Sequence, residues 1–252
     1  MIQYIHILAR NPNLAVVNTQ LSKTLASLPH RLVAQYLLDL YKTYGPHEIL
    51  VRSVRHPACT VEVIKEIERL WQRRVDSSRI SLTCSELPRR VFRKPPNLRS
   101  PVHPLIKHLF EVYDPSANSH KGYPLCRAIL TSNYALVAYL LEHGADPAIK
   151  EGIAVQIAIQ AHDLKAIRLL VERKDDRGVE TGRRVKRRIS DRMVITPNLV
   201  ECALSKGSKD IVEYFVKEKG KLALFVADDR STTTSERYYE TETKAQVDVY
   251  AD

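Results

Sequence analysis

The sequence predicts an all-α protein in which antiparallel helix pairs repeat along the chain and stack into a solenoid. Three observations carry this. Apolar residues recur at helical spacing through most of the chain, and only 8 Gly in 252 residues interrupt them. The run from Gly122 to Lys150, GYPLCRAILTSNYALVAYLLEHGADPAIK, reads as a turn, a short helix, a second helix and a Gly-Ala-Asp exit. The next stretch, GIAVQIAIQAHDLKAIRLLVER, repeats it 30 residues later: Leu125 falls on Val155, Ala128 on Ala158, Asn133 on Asp163, Val137 on Ile167 and Leu140 on Leu170. One such pair cannot bury its own apolar face, so pairs stack.

From the N-terminus, residues 12–41 place Leu14, Val17, Leu21 and Leu25, then Leu32, Tyr36, Leu37 and Leu40, at helical spacing. Pro29 divides the stretch into two helices. Residues 1–44 read as a helical cap. Residues 45–71 form a divergent helical unit around His56-Pro57, with Ile49, Leu50 and Val54 on one side. Val61, Val63, Ile64, Ile67 and Trp71 form the other side, Thr60 caps the second helix, and Trp71 is expected in the core. Residues 72–104 read as a basic, Pro-containing linker, since Pro95-Pro96 breaks any continuous helix. Residues 104–113 form a short helix with Leu105, Leu109 and Val112 on one face.

Repeats then occupy 105–171, a charged insertion 172–195, and a third copy with its C-cap 196–228. In that copy Ala203 matches Ala128, Ile211 matches Leu136, Val212 matches Val137 and Phe215 matches Leu140. The small residue at 128, 158 and 203 lets the two helices of a pair approach. Thr196-Pro197 is a helix start. Gly144 suits the left-handed residue that closes a helix. Residues 229–252 are polar, lack a periodic apolar face and are expected to be disordered.

These residues resemble the ankyrin-repeat family over 122–171 and, less closely, over 196–220; the whole arrangement resembles fungal ankyrin proteins. The family's Thr-Pro-Leu-His opening is replaced here by Tyr123-Pro124-Leu125-Cys126 and Ile153-Ala154-Val155-Gln156. The family period is nearer ~33, so the β-finger between copies is trimmed, and short fingers are the only β structure expected. The resemblance implies a partner-binding surface on inner-helix ends and fingers. It includes Leu130 and Thr131, Gln160 and Ala161, Ser205 and Lys206, with Ile149, Lys150 and Glu151 in the finger. By spacing alone these positions only fall off the repeated apolar set. PNLAVVNTQLSKTLASLP resembles the second half of an F-box, although that module's Leu-Pro opening is absent. This second resemblance implies docking on the adaptor of a cullin-based ubiquitin ligase.

Charge is uneven. The chain carries a formal +10. Residues 73–99 hold eight Lys/Arg against two acids, and residues 172–195 nine against five, so the excess belongs to connecting segments. A uniformly basic groove would be a better nucleic-acid signal; that partner is the third reading, after a protein ligand and a ligase adaptor. Arg183, Arg184, Lys186, Arg187 and Arg188 form a basic run that suits a nuclear-localisation signal. Ser190 follows as a candidate phosphorylation site, whose added negative charge would mask that signal.

Cys59, Cys84, Cys126 and Cys202 have no CxxC spacing, and the nine His are scattered. No HExxH, GxxxxGK[ST] or GxSxG occurs. No metal, no cofactor and no catalytic activity are expected. Neither a signal peptide nor a membrane span is expected, and the unpaired cysteine pattern suits a reducing setting, so a cytoplasmic location, a nuclear one or both is expected.

Overall fold

The computed structural model describes residue 19 and residues 28–74, 81–93, 100–173 and 191–220. It is mostly helical, and no strand occurs among the described residues. It divides into two compact units, Met1–Val194 and Ile195–Asp252.

In the first unit, α1 (His30–Leu40) begins directly after Pro29, whose carbonyl accepts from the Leu32 and Val33 N–H groups at 2.9 and 3.2 Å. α2 (Pro46–Arg55) carries Pro at a first-turn position, which needs no N–H. α3 (Val61–Arg74) starts at Thr60, whose Oγ1 accepts from the Val63 N–H at 3.4 Å. Ile49, Leu50, Val54, Val63, Ile64 and Ile67 are buried, whereas Trp71 is only half-buried.

The stretch read as a linker contains a further helix, α4 (Arg89–Arg93), with Val91 and Phe92 buried. Its Arg90 points inward. Nε donates to the Val54 carbonyl at 2.8 Å, and the guanidinium also donates to the Cys59 carbonyl. A cation is favourable at the C-terminal end of α2, where carbonyls lack helical partners. Desolvation lowers the Arg90 pKa, but the side chain stays charged. A residue that reads as solvated in sequence thus pins α4 to the α2–α3 turn.

α5 (Pro104–Tyr113) buries Leu105, Ile106, Leu109 and Phe110. Val112 is 52% exposed, contrary to the sequence reading: it stands in the last turn, at the edge of a stripe centred between Leu109 and Ile106. The His103 ring nitrogen Nδ1 caps the helix by accepting from the Leu105 N–H at 3.1 Å.

Two helix pairs follow, α6 (Ser119–Leu130) with α7 (Tyr134–Glu142), and α8 (Ile149–Gln160) with α9 (Leu164–Val171). α6 packs on α4, α7 and α8, while α9 packs on α7 and α8. α3 packs on α5, and Phe110 of α5 meets the Tyr139 and His143 rings at 5.7 and 4.4 Å. One row of contacts therefore runs through α4, α6 and α8, and another through α3, α5, α7 and α9.

The second unit holds α10 (Pro197–Ser205), α11 (Lys209–Glu213) and a π-helical turn, Tyr214–Glu218. Leu199, Val200, Ala203, Ile211 and Phe215 are fully buried there. Thr196 precedes Pro197 with an extended backbone but makes no side-chain cap bond.

The repeat is written in the backbone. The N–H groups of Asn133, Asp163 and Ser208 donate to the carbonyls of Ala128, Ala158 and Ala203 at 2.9, 2.9 and 3.2 Å. The residue before each, Ser132, His162 and Gly207, has φ of +49°, +51° and +65°. This is the Schellman closure, in which the chain doubles back over the helix end. All three Ala side chains are at most 1% exposed. The next helix starts at once: Asn133 Oδ1 accepts from the Leu136 N–H at 3.2 Å, and Asp163 Oδ1 from the Ala166 N–H at 2.9 Å. Gly144 closes α7 at φ +83°, and the Ala145 N–H donates to the Leu140 carbonyl at 2.9 Å.

Candidate interaction face

In place of a β-finger, each of the first two copies enters its first helix through a left-handed turn. His120, Lys121 and Gly122 have φ of +55°, +61° and +81°; Lys150, Glu151 and Gly152, 30 positions on, have +52°, +57° and +76°. Each turn closes with one bond: the Gly122 N–H donates to the Asn118 carbonyl and the Gly152 N–H to the Ala148 carbonyl, both at 3.1 Å. Non-Gly residues resist this conformation by about 1–2 kcal/mol each, so the surroundings must impose it. Asn118 does part of this: Nδ2 donates to the Gly144 carbonyl at 3.2 Å and Oδ1 accepts from the Asp146 N–H at 2.8 Å. One amide thereby ties the first copy's entrance to its exit.

Beyond the turns, each first helix buries four positions and turns four others outward. α6 buries Pro124, Leu125, Ala128 and Ile129; α8 buries Ala154, Val155, Ala158 and Ile159. The complementary stripes are Tyr123, Cys126, Arg127 and Leu130 on α6, and Ile153, Gln156, Ile157 and Gln160 on α8. Leu130 and Gln160 are exposed and the other six half-buried. The two sets correspond residue for residue at the 30-residue period. Gln156 Nε2 donates to the Glu151 carbonyl at 3.3 Å, which holds the turn at the edge of the stripe.

The residues expected to bind a partner distribute unequally. Leu130, at 55% exposure, Lys150, Glu151, Gln160 and Ala161 are on the surface of the first unit. Thr131 is half-buried, and its hydroxyl donates back to the Arg127 and Ala128 carbonyls at 3.0 and 3.2 Å. Ile149 is half-buried with its side chain over the Gly122 backbone, 3.5 Å from where a Cβ would lie. Ser205 and Lys206 are exposed in the second unit. Sequence reasoning omitted Tyr123, Cys126, Arg127, Ile153, Gln156 and Ile157. Their signal was present as the i, i+3, i+4, i+7 complement of the repeated apolar set. The basic run Arg183, Arg184, Lys186, Arg187 and Arg188, together with Ser190, Leu14, Val17, Leu21 and residues 229–252, lies outside the described residues.

Elsewhere, several groups that could carry chemistry have structural surroundings. Burial pushes the Cys59 thiol up to about 12 and Cys84 to about 11, which keeps both protonated and poorly nucleophilic. His47 Nδ1 lies 2.9 Å from the Thr83 hydroxyl, and His56 Nδ1 accepts from the Ala58 N–H at 3.2 Å. Along α9 a shallow concavity is lined by Leu164, Lys165, Arg168, Leu169 and Glu172. Its charged members are already engaged: Arg168 with Glu172 at 3.9 Å, and Lys165 over the Tyr134 ring at 4.2 Å. Among the described residues no group of His, Cys, Asp or Glu is arranged to hold a metal ion, and no helix is long and apolar enough to cross a membrane.

No family model, curated protein or solved structure matches this chain.

Proposed function

We propose that this protein is a non-catalytic interaction module, an ankyrin-like solenoid that holds a protein ligand on its inner-helix stripe and the adjoining turns. The observation that supports this most is the residue-for-residue recurrence of the outward stripe on α6 and α8, each bordered by the same left-handed turn. A half-exposed surface repeated on rigid helix pairs offers a partner several fixed contact points. Leu130, at 55% exposure, is a large apolar side chain with no core to fill.

The test is capture with the full chain. Leu130→Asp and Gln160→Arg alter exposed positions and should leave thermal unfolding within ~0.5 kcal/mol of the parent. Recovery of a partner found with the parent chain should collapse for both. Glu142→Lys on α7, on the other row of helices, should retain it. Loss with Glu142→Lys and retention with both stripe variants would place binding elsewhere.

A further inference from the structure

The charge on the interaction face is one-sided. Arg89 and Arg93 are exposed one turn apart on α4. The Arg89 guanidinium lies 5.4 Å from the centre of the Tyr123 ring, and that ring also meets Phe92 edge-on at 6.5 Å. Arg127, half-buried on the α6 stripe, donates from Nε to the Phe92 carbonyl at 3.4 Å. Lys121 and Lys150 are exposed in the two turns. None of these five cations has a carboxylate partner among the described residues; Glu151 is the acid in the same turns. The nearby Glu86 is taken by Arg55 at 2.7 Å. Asp146, at the exit of α7, turns its Oδ1 onto the Ala148 N–H at 2.8 Å.

The other row is nearly balanced: on α5, α7 and α9 with its C-cap, Lys107, Lys165 and Arg168 offset Glu111, Glu142 and Glu172, and α3 sets Lys65, Arg69, Arg73 and Arg74 against Glu62, Glu66 and Glu68. Unpaired like charges on a folded surface repel one another, which a ligand of opposite sign relieves.

The stripe changes character along the stack. α8 contributes no charge to it, only Ile153, Gln156, Ile157 and Gln160, and Leu130 stands beside them at 55% exposure. We propose that this face takes an extended acidic–apolar protein segment, its carboxylates over α4 and α6 and its apolar residues over α8. The inference rests on the interaction-module reading and adds the chemistry of the ligand. Nucleic acid fits less well. Its charge is continuous along its length, whereas the cations stop at Lys150 in the entrance turn of α8 and none follows along the α8 stripe, and Tyr123 is already held between Phe92 and Arg89 instead of standing free to stack on a base.

The experiment uses the full chain and short fluorescent peptides, read by anisotropy. One peptide is glutamate-rich in its first half and leucine-rich in its second. A second carries Gln for every Glu, and a third Ser for every Leu. Expected is saturable binding of the first and about tenfold weaker binding of each of the others. In the chain, Arg89→Glu with Arg93→Glu should weaken the first peptide about tenfold at low salt, with a smaller effect at high salt, and should spare the Gln peptide. Equal binding of the Glu and Gln peptides overturns the proposal. So does tighter, salt-sensitive binding of single-stranded DNA or RNA that the same reversal abolishes.

The chain's own acidic end is the remaining occupant. Neutralising Asp228, Asp229, Glu236, Glu240 and Glu242 should leave peptide affinity unchanged; a large rise would assign the face to that segment and overturn an external ligand. Failure here is separable from failure of the module. A partner lost with Leu130→Asp but indifferent to Arg89 and Arg93 keeps the module and removes the acidic ligand. A partner indifferent to all three removes both.

Discussion

Replacing Ala158 by Leu tests the register that sets the buried and outward stripes of α8. Ala158 is 0% exposed, as are Val155 and Ile159 on the same helix and Ala166, Ile167 and Leu170 on the facing one. Its carbonyl accepts the Asp163 N–H at 2.9 Å, so the backbone at this point cannot slide without opening the Schellman closure. Leu adds three carbons, whose transfer from water would contribute about 2 kcal/mol if space existed. No space exists between helices that meet at an Ala. Overpacking instead costs about 1–3 kcal/mol, and the steric effect wins. For a chain of this length that is a fall in Tm of about 2–4 °C per kcal/mol. Urea titration followed by far-ultraviolet circular dichroism reads it as a lower midpoint at unchanged slope. Gln160→Leu, two residues on and exposed, is the control and should stay within ~0.5 kcal/mol. An Ala158→Leu chain as stable as the parent would refute the assigned register and, with it, the stripe.

Gly122 and Gly144 have φ of +81° and +83°, the first under Ile149 and the second in open space. Ala at either should cost a similar ~1–2 kcal/mol, because the backbone conformation sets the penalty and not the neighbour; urea midpoints compare the two. Asp163 caps α9 and accepts from the Tyr134 hydroxyl at 2.9 Å. Asp163→Ala should therefore destabilise by about 1.5–3 kcal/mol, whereas Asp163→Asn retains a capping oxygen and should cost under ~1. Burial pushes the Tyr36 hydroxyl from 10.0 up to about 12. The folded chain holds that proton more tightly than the unfolded one, so this contribution is complete below the unfolded pKa of ~10 and lost as pH climbs through about 12. It is worth about 3 kcal/mol in all. Stability measured across that alkaline window should fall less steeply for Tyr36→Phe than for the parent.

The apolar positions of the repeat were legible in the sequence because their information is local. Leu125, Ala128, Val137 and Leu140, with their counterparts 30 residues on, form a helical stripe whatever else the chain does, and all of them are buried. The Gly144 closure was legible for the same reason, since Gly suits the left-handed residue that ends a helix; Asn133 and Asp163 were matched as repeat positions, and the structure adds that both are caps. The entrance turns were not. Lys121, Lys150 and Glu151 carry no preference for positive φ, and Ser132 and His162 stand where only the third copy has Gly. Contacts far along the chain impose those conformations, among them Asn118 on Gly144 and Ile149 over Gly122. The basic stretch before α5 shows the same division. From sequence its arginines counted as solvated linker charge. In the fold Arg90 is spent on the carbonyl ends of α2 while Arg89 and Arg93 remain on the surface. Three arginines of one five-residue helix thus take opposite roles. The choice lies with carbonyls more than thirty residues away in sequence, beyond the reach of any local pattern.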